Sequence, residues 1–396
     1  MISNIFINNT MITTIFKQYL KEVNMRKTFV FLVIMALYVG FVITDSEAKQ
    51  TKAKKSQKNA EQKIAKEIKV AFVYIGPVGD GGWSYSHDQG RKALEKMGII
   101  TAFAENVPEG PEAEKVITQF ASEGYNIIFT TSYGYMDTTI EVAKKFPNVI
   151  FGHCSGEKRA PNVFTYFGRM YQLMYLEGII AGKMTKTNEI GYIAPLSISE
   201  IIRHIDAFTI GARSINPNAN IHVAWTGAWY DPAKEKESAN ALMDAGCDII
   251  ATEGDSPAAA QAAEARGKYS FGYNSDAKNF APNSVLTSAV WDWAVIYKDV
   301  INRYKRGNKN WEKLNYWDGM ETDTVKLTPL SDLVPKDVQK LINHKVELFK
   351  EEDKVFAGPI KDQNGILKVK KGSELKDEEI WKISWLVEGV VGTLPK

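Results

Sequence analysis

From Val70 onward the chain alternates short apolar runs with longer segments whose apolar residues recur every three or four positions. The runs are VAFVYI, ITAFA, NIIFT, VIFGH and VFTYFG. Helical patterns near Asp88–Met97, Glu112–Ser122 and Asp137–Lys145 separate the first four. A long helical pattern, Tyr171–Met184, closes this series, and near Glu189 the alternation restarts with EIGYIA, IHVAW, CDIIATEG, YSFGY and SVLTSAV. Its helices fall near Ser199–Ile215, Pro232–Ala245, Ala258–Arg266 and Asp292–Arg306. Strands that read as apolar on both faces, each followed by a helix, predict parallel sheets covered on both sides. Two such series predict two α/β lobes of similar build. From Leu314 the alternation fades into a helix near Lys336–Lys350 and a hairpin turning at Asn364-Gly365.

The N-terminal pattern is different. Residues 1–48 read as a signal peptide with an upstream extension. Two basic residues follow Met25, an apolar run spans Phe29 to Ile43, and Ser46-Glu47-Ala48 forms a small-residue site. The run is shorter than the roughly 20 residues a membrane span needs, so export with cleavage after Ala48 is expected, to the periplasm or cell surface. Residues 49–68 are Lys- and Gln-rich and read as a tether. Lobe 1 is expected over 69–168 plus 289–315, and lobe 2 over 169–288 plus 316–396.

Composition narrows the chemistry. A formal net charge of +2 leaves no footprint for nucleic acid. Neither of the two cysteines, Cys154 and Cys247, ends the apolar run, so lipidation there is not expected. Cys154 follows its strand and Cys247 precedes its own, which places them at opposite ends of the sheets and predicts free thiols. The five histidines show no metal-ligand spacing, and no G-x-S-x-G elbow occurs. His153 and Cys154 are adjacent in a strand and point to opposite faces. No catalytic residue, metal or cofactor is therefore expected.

In parallel sheets a ligand sits beyond the carboxyl ends of the strands. Those windows are 76–83, 130–137, 153–156, 194–200, 225–230, 252–255 and 273–276. The first, within YIGPVGDGGWSYSHDQGR, is glycine-rich, as phosphate-binding turns are. Its spacing does not match G-x-G-x-x-G, it lacks the Lys-Ser/Thr of a P-loop, and Trp83 and Tyr85 crowd the helix start. Trp83, Trp225 and Trp229 fall in these windows and Trp291 just after the last core strand. Aromatics at strand ends of both lobes fit a flat ligand held between rings.

Six stretches carry a family resemblance: VGDGGWSYSHDQG, EVAKKFPNVIFG, MTKTNEIGYIA, DPAKEKESANALMDAGCDII, GYNSDAKNFAPNSVLTS and WLVEGVVG. Together they resemble the basic-membrane-protein family of ABC-transporter solute-binding proteins, which bind purine nucleosides, over about Lys69 to Pro395. The resemblance implies a type I periplasmic-binding fold, a monomer, and a permease in the cytoplasmic membrane as partner. It implies that Trp83 and Trp229 sandwich a base, that Asp137 reads the base edge, and that Gly254 lets the backbone approach the ligand. Three positions depart from the nucleoside-binding pattern. Asn274 stands where those members have a ribose-binding Asp, Trp291 where they have Lys, and Tyr74 where they have an acidic residue. Loss of the sugar contacts implies a free purine base, adenine foremost. The alternatives are a nucleoside-binding protein of the same family, an exported nucleoside-processing enzyme, and a receptor-linked sensor.

Overall fold

A computed structural model describes residues 13–15, 17–25 and 68–395. The expected apolar run, cleavage site and tether lie outside the described residues. Residues 17–25 are helical and largely exposed, and no described helix is long and apolar enough to cross a membrane.

The body begins with β1 (Lys69–Val73), α1 (Trp83–Lys96), β2 (Ile100–Ala104), α2 (Pro111–Ser122), β3 (Ile127–Thr130), α3 (Met136–Lys145), β4 (Ile150–Cys154) and β5 (Val163–Gly168). It continues through α4 (Tyr171–Met184), β6 (Glu189–Ala194), α5 (Ser199–Ile215), β7 (Asn220–Trp225), α6 (Pro232–Asp244), β8 (Ile249–Thr252), α7 (Ala258–Ala265), β9 (Tyr269–Asn274) and β10 (Val285–Trp291). Then come α8 (Trp293–Lys305), β11 (Asn315–Asp318), β12 (Val325–Leu327), α9 (Lys336–Glu351), the hairpin β13 (Ile360–Lys361) and β14 (Leu367–Val369), α10 (Asp377–Ile380) and β15 (Val390–Val391).

Two sheets result. One has the order β11-β5-β4-β3-β1-β2 and the other β12-β10-β9-β8-β6-β7-β15. All their neighbours run parallel except β10 and β12. This is the expected two-lobed α/β architecture with helices flanking each sheet. The exchange points differ from those expected at 288–289 and 315–316. Trp291 pairs with Val325 in the second sheet, and Asn315 to Asp318 pair with Thr165 to Gly168 in the first. The chain therefore crosses between lobes after Gly168, after Trp291 and after Asp318. The antiparallel partner of β10 lies more than thirty residues away, which no local periodicity encodes.

The core explains why the lobes hold their strand ends steady. Val70 to Val73 of β1 are wholly buried, and Phe72 stacks on Phe129 of β3 with centroids 5.1 Å apart. In lobe 2, α4 and α5 meet backbone to backbone. A Cβ on Gly178 would lie 2.0 Å from the Phe208 carbonyl oxygen, and one on Gly211 2.1 Å from that of Tyr175. This close approach fixes α5, whose first turns carry Glu200, Arg203 and His204. Both cysteines are buried free thiols, as expected.

Candidate functional site

A narrow cavity lies between the carboxyl ends of the two sheets. Trp83, Thr131, Ser132 and Tyr133 wall it from lobe 1, and Trp229, Glu253, Asp255 and Tyr273 from lobe 2. Ile75, Ser155 and Glu200 complete it. The lobes touch beside it: the Ser275 hydroxyl donates to the Gly81 carbonyl, and the Ser155 hydroxyl donates to Glu200.

The glycine loop is not a phosphate cradle. The Asp80 carboxylate accepts from the amides of Gly82 (2.8 Å), Ser84 (2.9 Å) and Tyr85 (2.9 Å). The donors that would hold a phosphate at the start of α1 are thus already satisfied by the chain itself. What the loop presents instead is Trp83. Its indole N–H donates to the Thr131 carbonyl at 2.7 Å. Its ring meets His87, Trp293 and Trp291 edge-on, at 4.5, 5.4 and 5.8 Å. Trp229 enters the same cavity from the other lobe, half-buried, and its carbonyl accepts from the Asp255 amide at 3.0 Å.

The remaining expected site residues stand elsewhere. Tyr74 is wholly buried under α1, beside Phe72 and Phe103, and its hydroxyl has no partner. Its neighbour Ile75 reaches the cavity, because successive residues at a strand end point to opposite sides. Asp137 opens α3 as expected, but its side chain is 75% exposed and pairs with Lys158 at 2.5 Å, outside the cavity lining. Trp291 is 6% exposed and stacks on Trp293 at 4.4 Å. It backs Trp83 and does not wall the cavity. Gly254 is buried, and a Cβ there would lie 2.4 Å from the Glu235 carboxyl carbon. A side chain at that point would displace the Glu235 carboxyl. Asn274, in a left-handed conformation (φ 66°), donates to Asp255 at 2.8 Å and accepts from the Trp291 indole at 2.9 Å. It orients a cavity carboxyl from behind. Trp225 ends β7 with its indole donating to the Thr393 carbonyl at 3.1 Å.

Three carboxyls line the cavity: Glu200, Glu253 and Asp255. Glu253 accepts from the Tyr192 hydroxyl at 2.6 Å and lies 2.6 Å from His204 Nδ1. Burial pushes the Glu253 carboxyl up and His204 down to about 3, which favours the neutral form of both. Burial likewise pushes Glu200 and Asp255 up. Carboxyls drawn toward the protonated form both donate and accept hydrogen bonds. The cavity therefore offers mixed donor and acceptor groups between aromatic walls. Apart from Ile75, every lining residue lies in a window beyond a strand end, but only the convergence of α5 with β8 shows that the three acids meet. Among the described residues no cluster of metal-ligating side chains occurs.

Behind Gly254, Glu235 accepts from the Ser256 hydroxyl at 2.6 Å while its second oxygen has no partner. Burial pushes its pKa up to about 7 from 4.5. The folded protein holds this proton more tightly than the unfolded chain does. That share of stability is complete below pH 4.5 and is lost as pH rises through about 7, about 3 kcal/mol at the limit. Glu235→Gln is expected to flatten this fall. Urea midpoints at pH 5 and pH 8 measure it; an equal fall in wild type and variant would refute it.

A family model described as "ABC transporter substrate-binding protein PnrA-like" matches residues 66–357. A purine-binding protein of Brucella abortus (strain 2308) is 43% identical over 342 residues, covering 85% of this chain and 96% of that protein. A putative ABC transporter glucose-binding protein of Haloferax volcanii is 37% identical over 334 residues, covering 83% and 81%. Among solved structures, a solute-binding protein of an ABC transporter system from Conexibacter woesei superposes with a TM-score of 0.60 at 23% identity, covering 72% of this chain and 96% of that one. Another from Aeropyrum pernix K1 gives 0.63 at 18% identity, covering 74% and 93%. These two likenesses carry the two-lobed fold, and the matched length carries the family. The chain belongs to the PnrA-like family of ABC transporter substrate-binding proteins.

Proposed function

We propose that the protein binds a free purine base, adenine foremost, between Trp83 and Trp229, and presents it to a membrane permease in a closed two-lobed form. The observation that carries this reading is one cavity flanked by an indole from each lobe and edged by carboxyls that burial draws toward the neutral form. Adenine alternates ring acceptors with an amino donor, and a neutral carboxyl can satisfy both at once. The purine-binding relative in Brucella abortus supports the same ligand class. Ligand binding shifts a pre-existing equilibrium toward closure about the three inter-lobe crossings. The family is one of substrate-binding proteins, which supports carriage of the ligand unchanged.

Titration calorimetry with adenine, guanine, adenosine and inosine tests the reading. Adenine is expected to bind at least about tenfold more tightly than adenosine, because a buried pocket built for a planar base gains nothing from an unpaired ribose. Tighter binding of adenosine than of adenine would overturn it.

A further inference from the structure

Beyond Ser155 and Glu200 the cleft opens into a second chamber of about 310 Å³. Tyr133, Ser155 and Glu157 line it from lobe 1, the start of α5 from lobe 2, and Trp381 and Lys382 from the C-terminal region. Arg203, on the α5 side, is wholly buried, and none of its three side-chain nitrogens has a hydrogen-bond partner. Its guanidinium lies 4.8 Å from the Trp381 ring centre, 5.2 Å from Trp317 and 5.6 Å from Phe167. The rings hold the cation in place but supply no acceptor in the plane of its five N–H groups.

A second feature opens on the same space. Ile198, at the N-cap of α5, has no side-chain acceptor for the amides of the first turn. The positive end of a seventeen-residue helix thus faces the chamber. Lys382 adds a second cation at the wall. Glu200 and Glu253 attract the guanidinium from a distance, but neither hydrogen-bonds it. Glu200 is bonded by the Ser155 hydroxyl and pushed toward the neutral form by burial. Glu253 is engaged by Tyr192 and His204, and Glu157 is exposed.

We infer that this chamber binds a small oxyanion, carboxylate or phosphate, held by Arg203, the first amides of α5 and Lys382. The arginine fork suits two oxygens of one such group, and the lysine acts as a point charge. Because the walls come from both lobes, the anion favours the closed form. The anion is either a free ion or an acidic group attached to the heterocycle in the neighbouring cavity. A plain purine base carries no such group, so the site goes beyond the base-binding reading.

The rings of Trp317 and Trp381 report on it. The full chain is titrated at constant ionic strength with sodium phosphate, with acetate and with purine-6-carboxylate, against chloride, following tryptophan emission. A saturable change beyond chloride is expected, weakened by at least about tenfold in Arg203→Met and about two- to fivefold in Lys382→Gln. A response to phosphate or acetate marks a free-ion site, and one confined to purine-6-carboxylate marks an attached group. No saturable change with any of the three overturns the inference, as does equal binding by wild type and both variants. Lys382→Gln keeps the test decisive if Arg203→Met fails to fold, and its affinity for adenine should equal that of wild type. Adenine is titrated in parallel: phosphate binding without adenine binding would keep this site and remove the base reading.

Discussion

Replacing Gly82 with alanine is expected to hold the lobes apart and to weaken adenine binding by about 100-fold or more. The reason is steric and lies entirely in backbone. A Cβ on Gly82 would sit 2.3 Å from the carbonyl oxygen of Asp255, 2.7 Å from its carbonyl carbon and 2.9 Å from its Cα. No flexible side chain can swing away. Both partners are also held: Asp80 binds the Gly82 amide, and Asp255 is fixed by the Trp229 carbonyl and by Asn274. Only separation of the lobes relieves the contact. Each 1.4 kcal/mol lost from the closed form lowers affinity about tenfold, and a main-chain overlap of this size is expected to cost at least about two such steps. Each lobe keeps its own sheet and helices, so the thermal midpoint without ligand should stay close to wild type. Small-angle scattering with and without adenine, beside calorimetry, checks the result. If the variant still contracts on adding adenine, the proposed contact does not control closure.

How far the sequence foretold this site depends on what each residue answers to. The helices over Tyr171–Met184 and Ser199–Ile215 match their expected spans, because apolar periodicity reports directly which face is buried. Trp83 and Trp229 reach the cavity because parallel topology sends every loop beyond a strand end to the same edge. Tyr74 misses it by one position, since side-chain direction reverses at each step along a strand and no pattern marks where the strand gives way to the loop. Asp137 finds an exposed lysine, Lys158, from a loop that sequence does not place beside it. Asn274 and Trp291 differ from the nucleoside-binding pattern as noted, but Trp291 bonds to Asn274 and Asn274 to Asp255, in place of filling ligand space. The acids were within the expected windows, yet their role comes from the glycine-mediated approach of α4 and α5, which brings Glu200 and His204 to the end of β8. Convergence through space, not local pattern, builds that part of the site.

Removing the lobe-2 ring should have the second large effect. Trp229→Ala is expected to weaken adenine binding by about tenfold or more, since stacking on one aromatic is worth roughly 1–3 kcal/mol per base. Loss of the apolar wall that keeps water from the base adds to this. Trp229 isolates the effect better than Trp83. The Trp83 indole also bonds the Thr131 carbonyl and supports Trp291 and Trp293, so its removal disturbs lobe 1 itself. Trp229 is only half-buried, and the bond it makes to Asp255 uses its backbone carbonyl, which alanine retains. The ligand-free thermal midpoint should therefore change little. Trp229→Phe keeps a flat face and should recover most of the affinity, which separates stacking from mere volume. Adenine binding by Trp229→Ala equal to that of wild type would mean that the base lies on Trp83 alone, and that the second lobe reads it through Glu253 and Asp255.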